Sequence, residues 1–227
     1  MIRRHLVGKP HPRPLSRGRG EYDVLRNKNI ERLKDSFMYK LILASNSPRR
    51  RELLAGLGLD FEVRVLPGID ESYPAELQGG DIPLYISREK ANAYIGQLHP
   101  DELLITADTI VWLDGQVLEK PKDEADACRM LRALSGKTHQ VFTGVCLSTT
   151  EKQVAFSCQS DVTFCQLTEE EINYYVQQYH PLDKAGAYGV QEWIGYVGVE
   201  RLEGSYFNVM GLPVQRLYQA LKQNFKI

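Results

Sequence analysis

The chain has 227 residues, of which 43% are hydrophobic and 25% are charged, and its formal net charge is -1. This is the composition of an ordinary globular protein, and a chain of this length buries about 70% of its unfolded surface without a disulfide or a metal. The longest apolar runs are far shorter than the roughly 20 residues that span a bilayer, so we expect no membrane segment. Four cysteines without a CxxC pair favour reduced thiols and a cytoplasmic location.

The charge of the chain is distributed unevenly. Residues 1–37 hold ten Lys or Arg against four acids, a net of +6, so the other 190 residues carry -7. Residues 5–20 are rich in Pro, Gly and Arg and have no apolar period, which predicts a basic, disordered extension over 1–38 and one domain over 39–227. Translation from Met38 is an alternative explanation of the extension. The acidic balance of the remainder argues against a nucleic-acid partner.

From residue 39 onward the apolar spacing predicts strands alternating with helices, which indicates one α/β domain. In the first half we predict a strand over 41–44, then a helix with Ser47 as N-cap and Pro48 in its first turn, and a second helix over 81–98. Strands over 103–107 and 110–113 follow, and a hairpin turn at Asp114-Gly115 leads into a further strand. In the second half we predict a helix over 124–134 capped by Asp123, strands over 140–147 and 162–166, a helix opened by the capping box from Thr168 to Glu171, and a helix over 213–225. The side chains predicted to be buried include Ala93, Tyr94, Tyr175 and Tyr179.

The first candidate site is the segment Ser45-Asn46-Ser47-Pro48-Arg49-Arg50, between a strand and a helix. The free backbone N–H groups and the positive end of the helix dipole favour an anion there, and Arg49 and Arg50 add full charges. Arginines in a first helical turn oppose the dipole unless an anion offsets them, which favours a phosphate site. The alternative is a helix cap with solvated arginines.

Two further segments offer carboxylates. Asp108 follows an apolar strand, where α/β proteins often place catalytic groups, so it is a candidate water-activating base or metal ligand, with capping of a turn as the alternative. Asp70 and Glu71 stand in a loop and offer the oxygen ligands that Mg2+ prefers beside substrate phosphates, although adjacent loop acids are often only solvated. Lys90 and Lys120 are candidate phosphate contacts, and neither is informative alone.

Three common sites do not fit the sequence. Ser135-Gly136-Lys137-Thr138 is similar to the end of a P-loop, but Leu131 stands where the first glycine is required. The five histidines show no pair at metal-ligand spacing, which argues against a zinc enzyme. The Gly-x-Ser-x-Gly pattern of serine hydrolases is absent.

Six segments, in their order along the chain, carry a resemblance to a known family. They are Ala44-Ser45-Asn46-Ser47-Pro48-Arg49-Arg50-Arg51-Glu52-Leu53-Leu54, Ile69-Asp70-Glu71, Arg88-Glu89-Lys90-Ala91, Ala107-Asp108-Thr109, Leu118-Glu119-Lys120-Pro121 and Asp183-Lys184-Ala185-Gly186-Ala187-Tyr188-Gly189-Val190-Gln191. Together they resemble the Maf family of nucleoside triphosphate pyrophosphatases, over essentially all of the chain after residue 38. The first and last segments resemble the branch that acts on dTTP and UTP.

The resemblance implies an α/β fold with a twisted mixed sheet and two lobes around a cleft, similar to that of the inosine triphosphate pyrophosphatases. It implies hydrolysis of dTTP, UTP and modified pyrimidine analogues to the monophosphate and pyrophosphate, with Mg2+ or Mn2+, by a cytoplasmic homodimer. It further implies Asp108 as the proton acceptor that activates water, and Glu71 with Asp108 as the metal ligands. The implied substrate contacts are Ser45, Arg49, Arg50, Lys90 and Lys120 at the triphosphate, and Arg49, Thr109 and Gln191 at the base.

Base preference depends most on Gln191, whose amide offers a donor and an acceptor to the O4 and N3–H edge of uracil or thymine. A structural glutamine at a tight turn is the alternative. The family usually has Gly at the next position, where this chain has Glu192. A methyl-GTP type of pyrophosphatase is the enzymatic alternative. The alternative from another class is a nucleotide-binding regulator of cell division without turnover, since the resembling family is linked to septum formation.

Overall fold

The structure is a computed structural model that describes residues 39–226. The basic extension predicted over residues 1–38 lies outside the described residues. All four cysteines belong to the described part and are free thiols. No helix within residues 39–226 is long and apolar enough to cross a membrane.

A seven-stranded mixed sheet forms the centre of the fold. Its strands are β1 (Lys40–Leu43), β2 (Phe61–Val63), β3 (Glu102–Leu113), β4 (Gln116–Leu118), β5 (Thr138–Ser148), β6 (Gln153–Phe164) and β7 (Val199–Glu203). The order across the sheet is β2-β1-β3-β5-β6-β7, and β4 pairs with β3 off this path. Strand β1 runs parallel to β2 and β3, whereas the other pairs are antiparallel.

The described residues also form seven α-helices. They are α1 (Pro48–Ala55), α2 (Asp81–Asn92), α3 (Glu124–Leu134), α4 (Glu169–Tyr179), α5 (Trp193–Gly198), α6 (Tyr206–Val209) and α7 (Val214–Phe225). The predicted fold class, an α/β fold with a mixed sheet flanked by helices, is confirmed.

One face of the sheet carries two separate apolar clusters. Ile105 of β3 belongs to a cluster with α1 and α7, whereas Val111 of the same strand belongs to a cluster with α3 and α4. Alternate residues of a strand share a face, so both clusters lie on the same side of the sheet. Between them this face carries a polar pair, Thr109 of β3 opposite Thr143 of β5. The opposite face is covered by α2, which buries Ala91 there.

Local sequence signals set the ends of several elements as predicted. Helix α3 has the predicted bounds and the Asp123 side chain caps it. Thr168 and Glu171 form the capping box of α4. Asp114 and Gly115 have φ angles of 50° and 84°, the left-handed pair that a two-residue hairpin between β3 and β4 requires.

Strand β3 differs from the prediction in its length. The strands predicted over 103–107 and 110–113 form one strand, because residues 104–112 pair without interruption with β5. Asp108 therefore lies within a long strand and not at the end of a short one. The apolar run in the sequence is interrupted at Asp108, but the backbone pairing between β3 and β5 continues past this residue.

The helices differ from the prediction mainly at their ends. The helix predicted over 81–98 ends at Asn92 and a separate 3-10 turn follows, so Ala93 is exposed instead of buried. Tyr179 is also exposed, because it is the last residue of α4. The strand predicted over 162–166 is the end of the longer β6. Strands β2 and β7 and helices α5 and α6 were not predicted, since elements this short show no clear period.

Candidate active site

A cavity of about 780 Å3 opens where β3 has no neighbouring strand on one edge. Strand β1 pairs with β3 only up to Ile105, and β4 pairs with it only from Val111. Residues 106–110 therefore have no strand partner on that side within residues 39–226. The Arg50 side chain of α1 reaches into this gap and donates to the backbone oxygen of Ala107 at 2.8 Å. The break in strand pairing thus opens the cavity at the edge of β3, where Asp108 lines it from one face of the sheet and Thr109 from the other.

Asp108 and Glu71 face one ammonium group in the cavity. Lys90 Nζ lies 2.8 Å from Asp108 Oδ1 and 2.9 Å from Glu71 Oε1. The side chains of Asp108 and Lys90 are each 13% exposed, whereas that of Glu71 is 57% exposed. The three residues come from β3, α2 and the segment before α2. Tertiary structure therefore brings together two carboxylates and a lysine that are remote in sequence.

Gly144 lets α2 approach the sheet closely enough for the Lys90 contact. It lies opposite Asp108 on β5. A Cβ atom at this position would lie 2.2 Å from the backbone oxygen of Pro83, which belongs to α2. The same approach allows Thr106 Oγ1 to donate to the backbone oxygen of Ser87 at 2.7 Å. The helix that carries Lys90 is thus fixed to the strand that carries Asp108.

Arg50 is held by three acceptors of the protein. Its Nε donates to the backbone oxygen of Gly211 at 2.8 Å, its Nη1 to that of Ala107 at 2.8 Å, and its Nη2 to Thr109 Oγ1 at 3.0 Å. Burial lowers the pKa of the guanidinium, while the Asp108 charge acts in the opposite direction. Within the described part of the chain, three of its five N–H groups bond to protein acceptors, and two are left for a ligand.

The hydroxyl of Thr109 belongs to a chain of hydrogen bonds with a fixed direction. Thr143 Oγ1 donates its proton to the backbone oxygen of Asn208 at 3.0 Å. The 2.9 Å bond between the two threonine hydroxyls must therefore use the proton of Thr109. Since Thr109 also accepts from Arg50, a single lone pair remains, and a ligand that contacts this oxygen has to donate.

The start of α1 has the predicted cap, and Ser45 stands in the turn before it. Ser47 Oγ accepts the N–H of Arg50 at 3.4 Å, and Pro48 stands in the first turn. Asn46, Ser47 and Pro48 line the cavity. Ser45 is buried, and its Oγ accepts the N–H of Ser47 at 3.2 Å. Ser45 shapes the turn, and its substrate contact stays a prediction.

A row of alternating charges borders the cavity on the side of Gln191. Arg49 Nη1 lies 3.1 Å from Asp183 Oδ2, and Lys184 Nζ lies 2.7 Å from Asp183 Oδ1. Lys184 Nζ also lies 3.1 Å from Glu192 Oε1. Burial alone would raise the pKa of Asp183, but hydrogen bonds from Lys184 and Arg49 outweigh it and lower that pKa. The role of these acids and of Lys184 was not predicted, although the resembling segment includes Asp183 and Lys184.

The cavity collects eight of the nine predicted site residues. Its lining includes Arg49, Arg50, Glu71, Lys90, Asp108, Thr109, Lys120 and Gln191. They come from α1, α2, β3 and three connecting segments, so no local pattern could have shown that they meet. Their individual catalytic and binding roles stay predictions.

The donor set of the cavity fits a hard divalent cation. Across residues 39–226 no group of three or more His, Cys, Asp or Glu side chains could hold a metal, which does not fit a closed zinc site. Glu71 and Asp108, however, both face the position of the Lys90 ammonium. Mg2+ is commonly held by one or two carboxylates together with substrate phosphates and water. The two carboxylates therefore suit Mg2+ or Mn2+.

Comparison with known proteins identifies one family. Residues 40–224 match the family described as Maf-like protein. A "dTTP/UTP pyrophosphatase" of Bacteroides thetaiotaomicron is 66% identical over 185 residues, which cover 82% of this chain and 96% of that protein. A protein of the same name from Phocaeicola vulgatus is 64% identical over 185 residues, with the same 82% and 96% coverage.

Among solved structures, a "HAM1 protein from Coxiella burnetii" is 13% identical, with a TM-score of 0.43, and the match covers 82% of this chain and 100% of that chain. This similarity is too low to support a shared function.

Proposed function

This chain belongs to the Maf family, and on that premise we propose that it hydrolyses nucleoside triphosphates to the monophosphate and pyrophosphate. The observation that carries the proposal is a buried carboxylate, Asp108, in a cavity that is also lined by Arg49, Arg50, Lys90 and Lys120. The relatives named dTTP/UTP pyrophosphatase support dTTP, UTP and modified pyrimidine analogues as the substrates.

In the proposed reaction, Asp108 accepts a proton from the water that attacks the α-phosphorus. The water oxygen bonds to the α-phosphorus, the bond from this atom to the oxygen bridging to the β-phosphorus breaks, and pyrophosphate leaves with the electron pair. Lys90 holds one oxygen of Asp108 at 2.8 Å, so the other oxygen can accept the proton. A base placed in this way contributes about a hundredfold to ten-thousandfold in rate.

The cations of the cavity stabilise the charge that develops on the leaving pyrophosphate. Arg49, Lys90 and Lys120 are proposed to contact the phosphates directly. Arg50 has only two N–H groups left for a phosphate, because three are used within the protein. It therefore also positions the start of α1 against β3.

We propose Mg2+ or Mn2+ as the cofactor, held by Glu71 and Asp108. When bound, such an ion supplies positive charge against the triphosphate and the leaving group. The support is the proximity of the two carboxylates, since Asp108 Oδ1 and Glu71 Oε1 lie 2.8 Å and 2.9 Å from the same Lys90 Nζ.

The base pocket is proposed to prefer uracil and thymine. Gln191 lines the cavity and offers both a donor and an acceptor. Thr109 can only accept a hydrogen bond from a ligand, since its own proton is directed to Thr143. Uracil and thymine have an N3–H donor that suits such an acceptor, whereas N3 of cytosine is itself an acceptor.

Pyrophosphate release by the purified protein tests the proposal, with Mg2+ or Mn2+ and with UTP, dTTP, CTP, GTP and methyl-GTP as substrates. Asp108→Asn is nearly isosteric but a poor base, so we expect about a thousandfold lower rate with little change in melting temperature. The matched control is Asp101→Asn, an exposed residue just before β3, which should keep full activity.

The outcomes separate the alternatives. Preference for UTP and dTTP, lost in Asp108→Asn, supports the proposal. Preference for methyl-GTP keeps the reaction but contradicts the base assignment. Absence of release from every substrate, in a protein that still binds nucleotides, favours the regulator without turnover.

A further inference from the structure

The Gln191 side chain is carried by a tight turn over residues 189–192. The N–H of Glu192 donates to the backbone oxygen of Gly189 at 3.0 Å, which closes the turn. A Cβ atom on Gly189 would lie 2.9 Å from Glu192 Cδ and 3.0 Å from Gln191 Nε2. The Gln191 amide and the Glu192 carboxylate therefore both pack directly on Gly189. The direction of the amide depends on where this turn is held.

Tyr175 of α4 holds the turn from inside the protein. Its hydroxyl accepts the N–H of Gly189 at 3.0 Å and donates to Glu192 Oε2. The Tyr175 side chain is fully buried. Burial, followed by the hydrogen bond to Glu192, raises the pKa of this hydroxyl, so it stays protonated as a donor. One hydroxyl thus fixes both ends of the turn.

Lys184 connects the Glu192 carboxylate to Arg49. Its ammonium lies 3.1 Å from Glu192 Oε1 and 2.7 Å from Asp183 Oδ1, and Asp183 Oδ2 lies 3.1 Å from Arg49 Nη1. The side chains of Lys184 and Glu192 are only 10% and 20% exposed, so their ion pair is better protected from solvent than a surface pair. The series runs from the turn that carries Gln191 to Arg49, and its last pair, with the exposed Asp183, is the weakest of the three.

We propose that Tyr175 and Glu192 are positioning residues that determine base discrimination without contacting the substrate. Neither side chain lines the cavity, whereas Gln191 and Arg49 do. Removing the Tyr175 hydroxyl frees the Gly189 N–H and one oxygen of Glu192, so the turn and the Gln191 amide lose their fixed direction. The inference deepens the proposed function, since it assumes that Gln191 faces the base.

The test compares the binding of UMP and CMP, which differ at the base edge and share the phosphate. Dissociation constants are measured by calorimetry for the full chain, for Tyr175→Phe, and for Glu192→Gln, which keeps the shape but removes the charge paired with Lys184. Tyr174→Phe is the matched control, because it removes a hydroxyl from the neighbouring, exposed tyrosine of α4. Gln191→Ala is the positive control.

We expect the UMP preference over CMP to fall about tenfold in Tyr175→Phe, the loss typical of one hydrogen-bonded contact. Glu192→Gln should change the preference in the same direction, while Tyr174→Phe should leave it unchanged. Binding of inorganic pyrophosphate should be equal in all five proteins, because none of the four substitutions removes a residue that is proposed to contact a phosphate.

An unchanged UMP-to-CMP ratio in Tyr175→Phe, with only a lower melting temperature, would overturn the proposal. Equal binding of UMP and CMP by the parent chain would also overturn it. If Tyr175→Phe does not fold, the UMP-to-CMP binding ratio of Glu192→Gln decides, and an unchanged ratio in that variant would overturn the proposal. The parent chain could show the expected binding ratios and still release no pyrophosphate. That result would contradict the proposed reaction but not the positioning role of Tyr175 and Glu192.

Discussion

The cations of the cavity differ in how firmly the protein holds them. Arg50 donates to three protein acceptors, and Lys90 pairs with two carboxylates. Among the residues that the structure describes, Arg49 has one ion pair, with the exposed Asp183. Charge-assisted bonds to several buried partners fix a side chain, whereas one exposed pair contributes little. Arg49 is therefore free to reorient when a ligand binds, while Arg50 is already in place.

His139 links the stability of the fold to pH. It is fully buried, its Nε2 bonds to the Tyr188 hydroxyl at 2.7 Å, and its Nδ1 has no partner in the described structure. Burial lowers its pKa to about 4, below the ordinary value near 6.5. The unfolded chain therefore binds more protons between these values, and about 3 kcal/mol of stability should be lost as the pH falls from about 6.5 to about 4.

The measurement is the free energy of unfolding in urea at several pH values from 8 to 4. In His139→Gln the slope over this window should decrease, whatever the stability at pH 8. The control is His180→Asn, at an exposed helix end with φ of 43° that asparagine tolerates. An equal slope in the parent and in His139→Gln would exclude His139 as the source.

Strand β3 and helix α2 together determine where the reactive groups meet. The strand is paired on one edge along its length by β5, but its other edge is open over residues 106–110. The open edge provides the cavity, and the continuous edge keeps Asp108 rigid. Helix α2 then brings Lys90 onto the same face, because Gly144 provides room for the helix.

Gly144→Ala should disturb both stability and activity. The new methyl group would meet the backbone of Pro83 at 2.2 Å, so α2 has to move, at a cost of about 1–3 kcal/mol. The shift also separates Lys90 from Asp108, and pyrophosphate release should fall more than the loss of folded protein explains. Gly96→Ala is the control, because its Cβ would meet nothing within 4 Å. Chemical denaturation and the rate of release, measured on both variants, check this expectation.

At the scale of the whole molecule, the two apolar clusters make the cavity possible. Each cluster packs helices against one end of the same sheet face, and the polar Thr109–Thr143 pair separates them. A continuous apolar face would have closed over this position, since apolar surface drives burial. The separation leaves space for a polar ligand between two well-packed regions.

Deleting residues 1–37 should leave the melting temperature and pyrophosphate release nearly unchanged. The family match covers residues 40–224 and so begins after the extension. Thermal unfolding and activity of the two forms check this, and a large loss of either would show that the extension belongs to the domain. Light scattering on the same samples measures the oligomeric state, and a homodimer remains the prediction.

The sequence by itself determined the fold class, several helix ends and the family. Caps at Ser47, Asp123 and Thr168 and the Asp114-Gly115 turn act over three or four residues, so a local pattern predicts them. The family motifs likewise stand in the chain regardless of folding. They identified eight residues that the structure brings into one cavity.

Only the tertiary structure decided how those residues are held. The Lys90 contact with Asp108, the three bonds of Arg50 and the support of Gln191 by Tyr175 all join residues remote in the sequence. The uninterrupted β3 depends on its pairing with β5, which no pattern within the strand contains. Hydrogen bonds and ion pairs act over a few ångströms in space, and the order of residues along a chain does not fix that distance.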